Sequence, residues 1–270
     1  MKIESWLAKA SQTLTKANVP SARLDALILL EDALHKDRSF VLAYGEEELT
    51  DGQLSSLNKQ LQRRTAREPL AYIRGFSEFY GRLFTVNKDV LIPRPESELI
   101  IEEALKLKLP TRPVIADVGT GSGSLATTLA LELPKASVHA YDISGPSLEV
   151  AKGNARRFKT AVDFQISNLL DGATHNFDLI VANLPYVANE QLVSPETKFE
   201  PSQALYAEAD GLAAIQSLLR SLNRGLLKNG GYLVLEAEPR QHQTISTLAQ
   251  QQKLVLITTN GFIQVFVAKP

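Results

Sequence analysis

Not one of the 270 residues is a cysteine. Disulfides, thiolate metal centres and cysteine nucleophiles are thereby excluded. The four histidines (His35, His139, His175 and His242) are scattered without metal-ligand spacing, so no metal is expected. Neither sign of charge is in surplus: 29 basic and 30 acidic residues leave a formal net charge of −1. Phosphate-driven binding normally rests on a basic excess, so no stable nucleic-acid binding is expected. Apolar runs of transmembrane length are missing as well, and the opening MKIESWLAKASQTL is charged and amphipathic, unlike a signal peptide. The expectation is a cytoplasmic protein with no membrane partner. With 44% hydrophobic and 22% charged residues, the composition is that of a globular chain able to bury a substantial core.

The pattern of the chain changes along its length. Residues 1–75 place apolar side chains at helical spacing in IESWLAKASQTL, ARLDALILLEDAL and DGQLSSLNKQLQRR, which predicts a small helical domain. Ser21, and Thr50 or Asp51, are the candidate N-caps. FSEFYGRLFTVNKDVLI is aromatic and β-branched around Gly81, and predicts a hairpin or linker over 76–94. From 95 to 270 short apolar runs alternate with helical segments: PVIADVG, SLATTLALEL, ASVHAYDIS, PSLEVAKGNARRF, VDFQIS, FDLIVAN, the long helix DGLAAIQSLLRSLNRGLL and GYLVLEAE. This alternation predicts an α/β domain with a mostly parallel, doubly wound sheet. LVLITT and FIQVFVAK, joined at Asn260-Gly261, predict an antiparallel hairpin at its edge.

DVGTGSGSLA joins the first of these strands to its helix. Glycines at 119, 121 and 123 let main chain approach a ligand and leave helix N–H groups free to meet it. The Gly-Lys-Ser/Thr end of a phosphate-binding loop is absent, and the third glycine falls one residue too early for a dinucleotide fingerprint. A nucleoside ligand fits better. Asp142, at the carboxyl end of the next strand, can accept from both ribose hydroxyls. Asn168 and Leu169 follow the third strand, where an adenine could lie against an apolar side chain and offer its amino group. Together these features describe S-adenosylmethionine at the switch point of an open sheet.

The fourth strand ends in Asn183-Leu184-Pro185-Tyr186. An ordinary strand terminus accounts for the proline. The same four residues also suit a clamp for a planar –NH₂ group. The Asn183 side-chain oxygen and the Leu184 carbonyl would accept its two protons, Pro185 would fix their angle, and Tyr186 would stack on it or wall it from water. Two acceptors drawing on an amide nitrogen raise its electron density and aim it, and alignment in a dry pocket supplies much of the rate.

RRTAREPLAYIRGFSEFYGRLFTV, VLIPRPESELIIEEAL, DVGTGSGSLA, YDIS, NLPY and FEPSQALYAEADGL together resemble the release-factor glutamine N5-methyltransferases. That resemblance implies a Rossmann-like class I methyltransferase sheet behind a small N-terminal helical domain that docks the protein substrate. It implies methyl transfer from S-adenosylmethionine, leaving S-adenosylhomocysteine, to the glutamine of the Gly-Gly-Gln loop of peptide chain release factors. It assigns donor contacts to Gly119, Thr120, Gly121, Ser122, Gly123, Asp142, Asn168, Leu169 and Asn183, with Arg94 of the PRP segment closing over the donor's tail. Asn183, Leu184, Pro185 and Tyr186 become the catalytic, glutamine-binding residues, and a monomer is expected. The chain departs from the family pattern at Leu184, usually proline, at Asn168, usually aspartate, at Ser97, usually threonine, and in its ending TTNGFIQVFVAKP. Other readings are a nucleic-acid adenine N6-methyltransferase, a glutamine methyltransferase of a ribosomal protein, and a donor-binding module without catalysis. Arg63, Arg64 and Arg67 are the best support for the first, although arginines along a helix usually form a solvated face.

Overall fold

The computed structural model describes residues 1–188 and 194–269. The chain divides at Gly75 into two compact units. The first contains α1 (Ile3–Lys16), α2 (Ala22–Leu34), α3 (Arg38–Ala43), α4 (Asp51–Thr65) and α5 (Leu70–Arg74), joined by a short 3-10 helix, Pro195–Phe199, from far along the chain. Its core gathers Ile3, Trp6, Leu14, Leu29, Leu30 and Leu57. The indole N–H of buried Trp6 donates to Asn58 Oδ1 at 3.1 Å and so ties α1 to α4. Thr50 caps α4 in a capping box with Gln53, whereas the Ser21 side chain makes no capping bond to α2.

Of the three arginines, Arg64 and Arg67 are withdrawn from solvent, and Arg63 is exposed but paired. Arg64 is 5% exposed, with its Nε on Asp25 at 2.7 Å and a terminal nitrogen on Glu196 at 3.1 Å. Arg67 grips Glu196 through two nitrogens at 2.9 and 2.7 Å, and Arg63 is bidentate on Glu68. Burial pushes the Glu196 carboxyl up, but bonds from Arg67, Ser194 and Arg64 prevail and hold it at about 2. Charges consumed in this way offer phosphates little.

The second unit begins with β1 (Phe76–Phe79) and β2 (Arg82–Thr85), an antiparallel hairpin. This segment is no linker: Phe79 and Phe84 are fully buried in the core of the unit. A 3-10 turn, Pro95–Ser97, leads into α6 (Glu98–Lys106), followed by β3 (Val114–Val118), α7 (Ser124–Glu132), β4 (Ser137–Asp142), α8 (Gly145–Phe158), β5 (Val162–Ile166) and β6 (Phe177–Ala182). The short pieces β7 (Val187–Ala188), α9 (Ser202–Leu205), β8 (Tyr206–Ala207) and α10 (Glu208–Gly211) precede α11 (Ala213–Ser221), β9 (Leu227–Glu236), α12 (His242–Gln251), β10 (Leu254–Asn260) and β11 (Ile263–Ala268). The sheet order is β10-β11-β9-β6-β3-β4-β5, parallel except at β11 and β10, which form the expected edge hairpin. Successive residues feed opposite faces: Ile115, Leu179 and Val181 pack with α6 and α7 residues, while Ala116, Ile180 and Ala182 pack with α11 and α12 residues.

Two elements differ from expectation. The long helix expected from Asp210 is broken at Gly211 into α10 and α11, and α11 passes into a 3-10 turn at Leu222. The helix α12 was not anticipated, because HQTISTLAQQ buries only Ile245 and Ala249. Among the described residues no helix is long and apolar enough to cross a membrane.

Candidate active site

Register brings the site together. Val118 pairs with Tyr141 on one side and Ala182 on the other, Asp142 pairs with Ile166, and Ala182 pairs with Leu235. Gly119, Asp142, Ser167, Asn183 and Glu236 therefore stand abreast at the carboxyl ends of β3, β4, β5, β6 and β9. The chain reverses its direction of strand addition between β3 and β6, where open α/β sheets hold their ligands.

A cavity of about 350 Å³ opens there. Gly119, Gly121, Asp142, Asn168, Leu169, Asn183, Leu184 and Pro185, all expected at the site, line it. The turn is fixed from below: Gly119 and Thr120 N–H both donate to the Tyr141 carbonyl, at 2.9 and 3.0 Å. Gly121 faces open space where a side chain would be, while a Cβ on Gly119 would meet Leu184 Cδ2 at 3.0 Å. Leu184, 4% exposed, thus packs on the turn it faces. Asp142 accepts from Gly121 N–H at 2.8 Å and Ser144 N–H at 2.9 Å, one on each oxygen. Burial raises its pKa and the main-chain donors Ser144, Gly121 and Ile143 oppose that rise. Each oxygen keeps a second lone pair for a hydroxyl. Leu169 holds φ at +50°, unusual for a bulky side chain, on the cavity wall.

Thr120, Ser122, Gly123, Tyr186 and Arg94 do not line the cavity. Thr120 donates to Asp117 Oδ2 at 2.6 Å, the oxygen that also accepts the Ala126 N–H at the start of α7. Asp117 thus ties strand end to helix start. Full burial drives its carboxyl up to about 7 against these two bonds, and Asp142 adds to the rise. The Ser122 carbonyl accepts from Asn154 of α8, and Gly123 lies against Ala151. Arg94, expected over a ligand tail, is paired with Glu200 at 2.6 Å. The other Glu200 oxygen accepts the Ile92 N–H at 3.2 Å. This clasp holds residues 89–91 near 201–204, two rims of the same cavity.

Asn183 spends its amide nitrogen on Ser97 Oγ, 2.8 Å away, which leaves its oxygen as an acceptor at the cavity wall. Tyr186 is held at both ends. Its hydroxyl donates to Glu236 Oε1 at 3.0 Å, and its carbonyl accepts Gln241 Nε2 at 3.0 Å. Burial and the Glu236 charge hold the phenol well above its ordinary value. The Gln241 amide also donates to the Asp210 carbonyl at 2.9 Å.

Sequence reasoning missed Ser97, Glu200, Gly211, Glu236 and Gln241, and also Ile143, a 61% exposed side chain on the cavity wall. Only Ile143 left a signal, a large apolar residue directly after the strand-end acid. Position 97, one of the departures from the family pattern, supplies the partner of Asn183.

Residues 5–75 match the PrmC N-terminal domain and residues 96–200 the methyltransferase small domain. A release factor glutamine methyltransferase of Koribacter versatilis is 39% identical over 242 residues, 87% of this chain and 86% of that one. Another, from Aliivibrio fischeri, is 34% identical over 268 residues, 96% and 93% of the two chains. Among solved structures, a methyltransferase from Pyrococcus furiosus superposes with a TM-score of 0.55 at 16% identity, over 82% of this chain and 100% of that one. The 16S rRNA N2 G1207 methyltransferase of T. Thermophilus, solved with AdoMet and guanosine, gives 0.54 at 18% identity, over 72% and 50%. These two likenesses establish the fold, a Rossmann-like methyltransferase sheet.

Proposed function

The chain belongs to the release factor glutamine methyltransferase family, and on that footing we propose that its cavity takes S-adenosylmethionine while Asn183, Leu184, Pro185 and Tyr186 hold the acceptor glutamine. It is a methyltransferase acting on the glutamine side-chain amide of a release factor. The finer reading places the methyl on N5 of the glutamine in the Gly-Gly-Gln loop.

The residues present suit the donor. Gly121 leaves room for close approach, Asp142 offers two lone pairs to ribose hydroxyls, and Ile143 and Leu169 give apolar walls for a base. When bound, the donor would supply an electrophilic sulfonium methyl to the amide nitrogen that these residues hold. The task of the protein is alignment. Asn183 Oδ1 and the Leu184 carbonyl accept the amide protons, Pro185 limits the loop's freedom, and Tyr186 excludes water. The observation that carries this reading is the 2.8 Å bond from Asn183 to Ser97, because it turns the side-chain oxygen, rather than the nitrogen, into the group left for substrate. Incubating the protein with labelled donor and a purified release factor, then locating the label by mass spectrometry, tests it. Label on adenine of nucleic acid, or on a ribosomal protein in preference to the factor, would overturn it.

Asp142→Ala is expected to weaken donor binding by about 1–3 kcal/mol, toward the upper end because Gly121 and Ser144 lose their acceptor too. Calorimetry on a variant of intact fold decides this, and unchanged affinity would reduce Asp142 to a turn residue.

The helical unit, with a core of its own and no residue on the cavity, docks the protein substrate in this reading. Leu42 and Tyr44 stand 54% and 52% exposed on it. Serine at both should raise KM for an intact factor and spare the rate on a short Gly-Gly-Gln peptide. Equal effects on both substrates would refute docking. The site of action is the cytoplasm and the active species a monomer, which sedimentation at 29.6 kDa would register.

A further inference from the structure

One buried acid has no task in this account. Glu236 ends β9 and is 1% exposed. Because Leu235 pairs with Ala182, Glu236 stands beside Asn183. Its Oε1 accepts the Tyr186 hydroxyl at 3.0 Å, and its Oε2 has no hydrogen-bond partner among the described residues. Burial raises its pKa, and the hydroxyls of Ser97 and Tyr186 are the groups that most oppose the rise. Ser97 is also the residue to which Asn183 donates. The carboxyl is closed off from solvent with one oxygen unpaired among the described residues. An apolar side chain here would avoid the cost of a half-satisfied carboxyl, so packing alone does not account for an acid.

We propose that Glu236 is a positioning residue for methyl transfer, setting the Tyr186 ring through its hydroxyl beside the Asn183 amide that Ser97 orients. The inference rests on the reading of Asn183 and Tyr186 as the clamp for the acceptor amide. Gln241 complements Glu236: its amide fixes the Tyr186 main chain from the carbonyl side, while Glu236 fixes the ring. A chain of hydrogen bonds running from Asn183 into Ser97 also polarises the Asn183 oxygen and makes it a better acceptor.

The test is single-turnover methylation of an intact release factor at saturating donor, with donor affinity measured alongside. Glu236→Ala is expected to lower the rate by about a hundredfold, the scale of an ångström of misalignment. Donor affinity should stay within about threefold, since removing a group used only with the acceptor leaves donor binding untouched. Glu236→Gln keeps an acceptor for the Tyr186 hydroxyl and should recover most of the lost rate. Tyr186→Phe should add little on top of Glu236→Ala, because the two act through one bond. Should the alanine variant fail to fold, Glu236→Leu fills the same space and is read in the same way. Parental rate in the variant, with Asn183→Ala slow, overturns the role of Glu236 and leaves the clamp standing. Parental rate in Asn183→Ala overturns the clamp itself. A glutamine variant as slow as alanine, or a loss of donor affinity matching the loss of rate, also overturns positioning by Glu236.

Discussion

Asn183→Ala should slow methyl transfer by roughly a hundredfold or more, about 3 kcal/mol of barrier, while donor affinity barely changes. The asymmetry follows from where its bonds go. Its nitrogen is bound to Ser97 and its oxygen faces the cavity, so the alanine removes the acceptor and leaves Gly121 and Asp142 as they were. Single-turnover rates at saturating donor, with calorimetry on the same preparation, separate the two quantities. A parental rate would return the Asn-Leu-Pro-Tyr stretch to the status of an ordinary strand end.

Gly211→Ala is expected to be nearly as damaging, at a position outside the cavity. A Cβ there would lie 2.0 Å from the Tyr186 carbonyl oxygen and 2.7 Å from the Gln241 amide nitrogen. No side-chain rotation relieves a clash with main chain, so Tyr186 must shift. The φ of +84° adds strain of roughly 1–3 kcal/mol. We expect a methylation rate reduced on the order of a hundredfold together with a lower urea midpoint. Gly225→Ala separates the two causes. Gly225 has φ +75° and nothing within 4 Å, so its variant should lose stability and keep its rate. If Gly211→Ala also keeps its rate, its contact with Tyr186 does not fix the clamp.

The parts of this molecule legible in the sequence are those whose cause is local. Three alternating glycines, an acid at a strand end and Asn-Leu-Pro-Tyr each carry their chemistry in a few neighbouring residues, and most of their side chains or main-chain edges reach the cavity. The sheet was legible because β3, β4 and β6, its central strands, are short apolar runs buried on both faces. What stayed hidden acts at long range. Glu236 read as the polar end of a strand, and nothing in GYLVLEAE points to Tyr186. Gly211 read as the start of a helix, because its collision partner lies on another loop. Arg64 read as solvated, since Asp25 and Glu196, which bury and neutralise it, lie far from it in the chain. The pairing of Arg94 with Glu200 was hidden for the same reason, since the two are far apart in sequence. Helix α12 escaped because its helical stripe is short, Ile245, Leu248 and Ala249 alone in a glutamine- and threonine-rich segment.

The strand order also has a consequence for biosynthesis. The glycine turn, Asp142 and the Asn183 loop are all translated before β9, yet β9 pairs along the full length of β6 and supplies both Glu236 and the approach to Gln241. Until β9 leaves the ribosome, β6 is an exposed edge, with a row of unpaired main-chain groups open to wrong partners. A nascent chain can therefore assemble the half of the sheet that carries the glycine turn and Asp142 well before the clamp is braced. The group that handles the acceptor amide is among the last to mature.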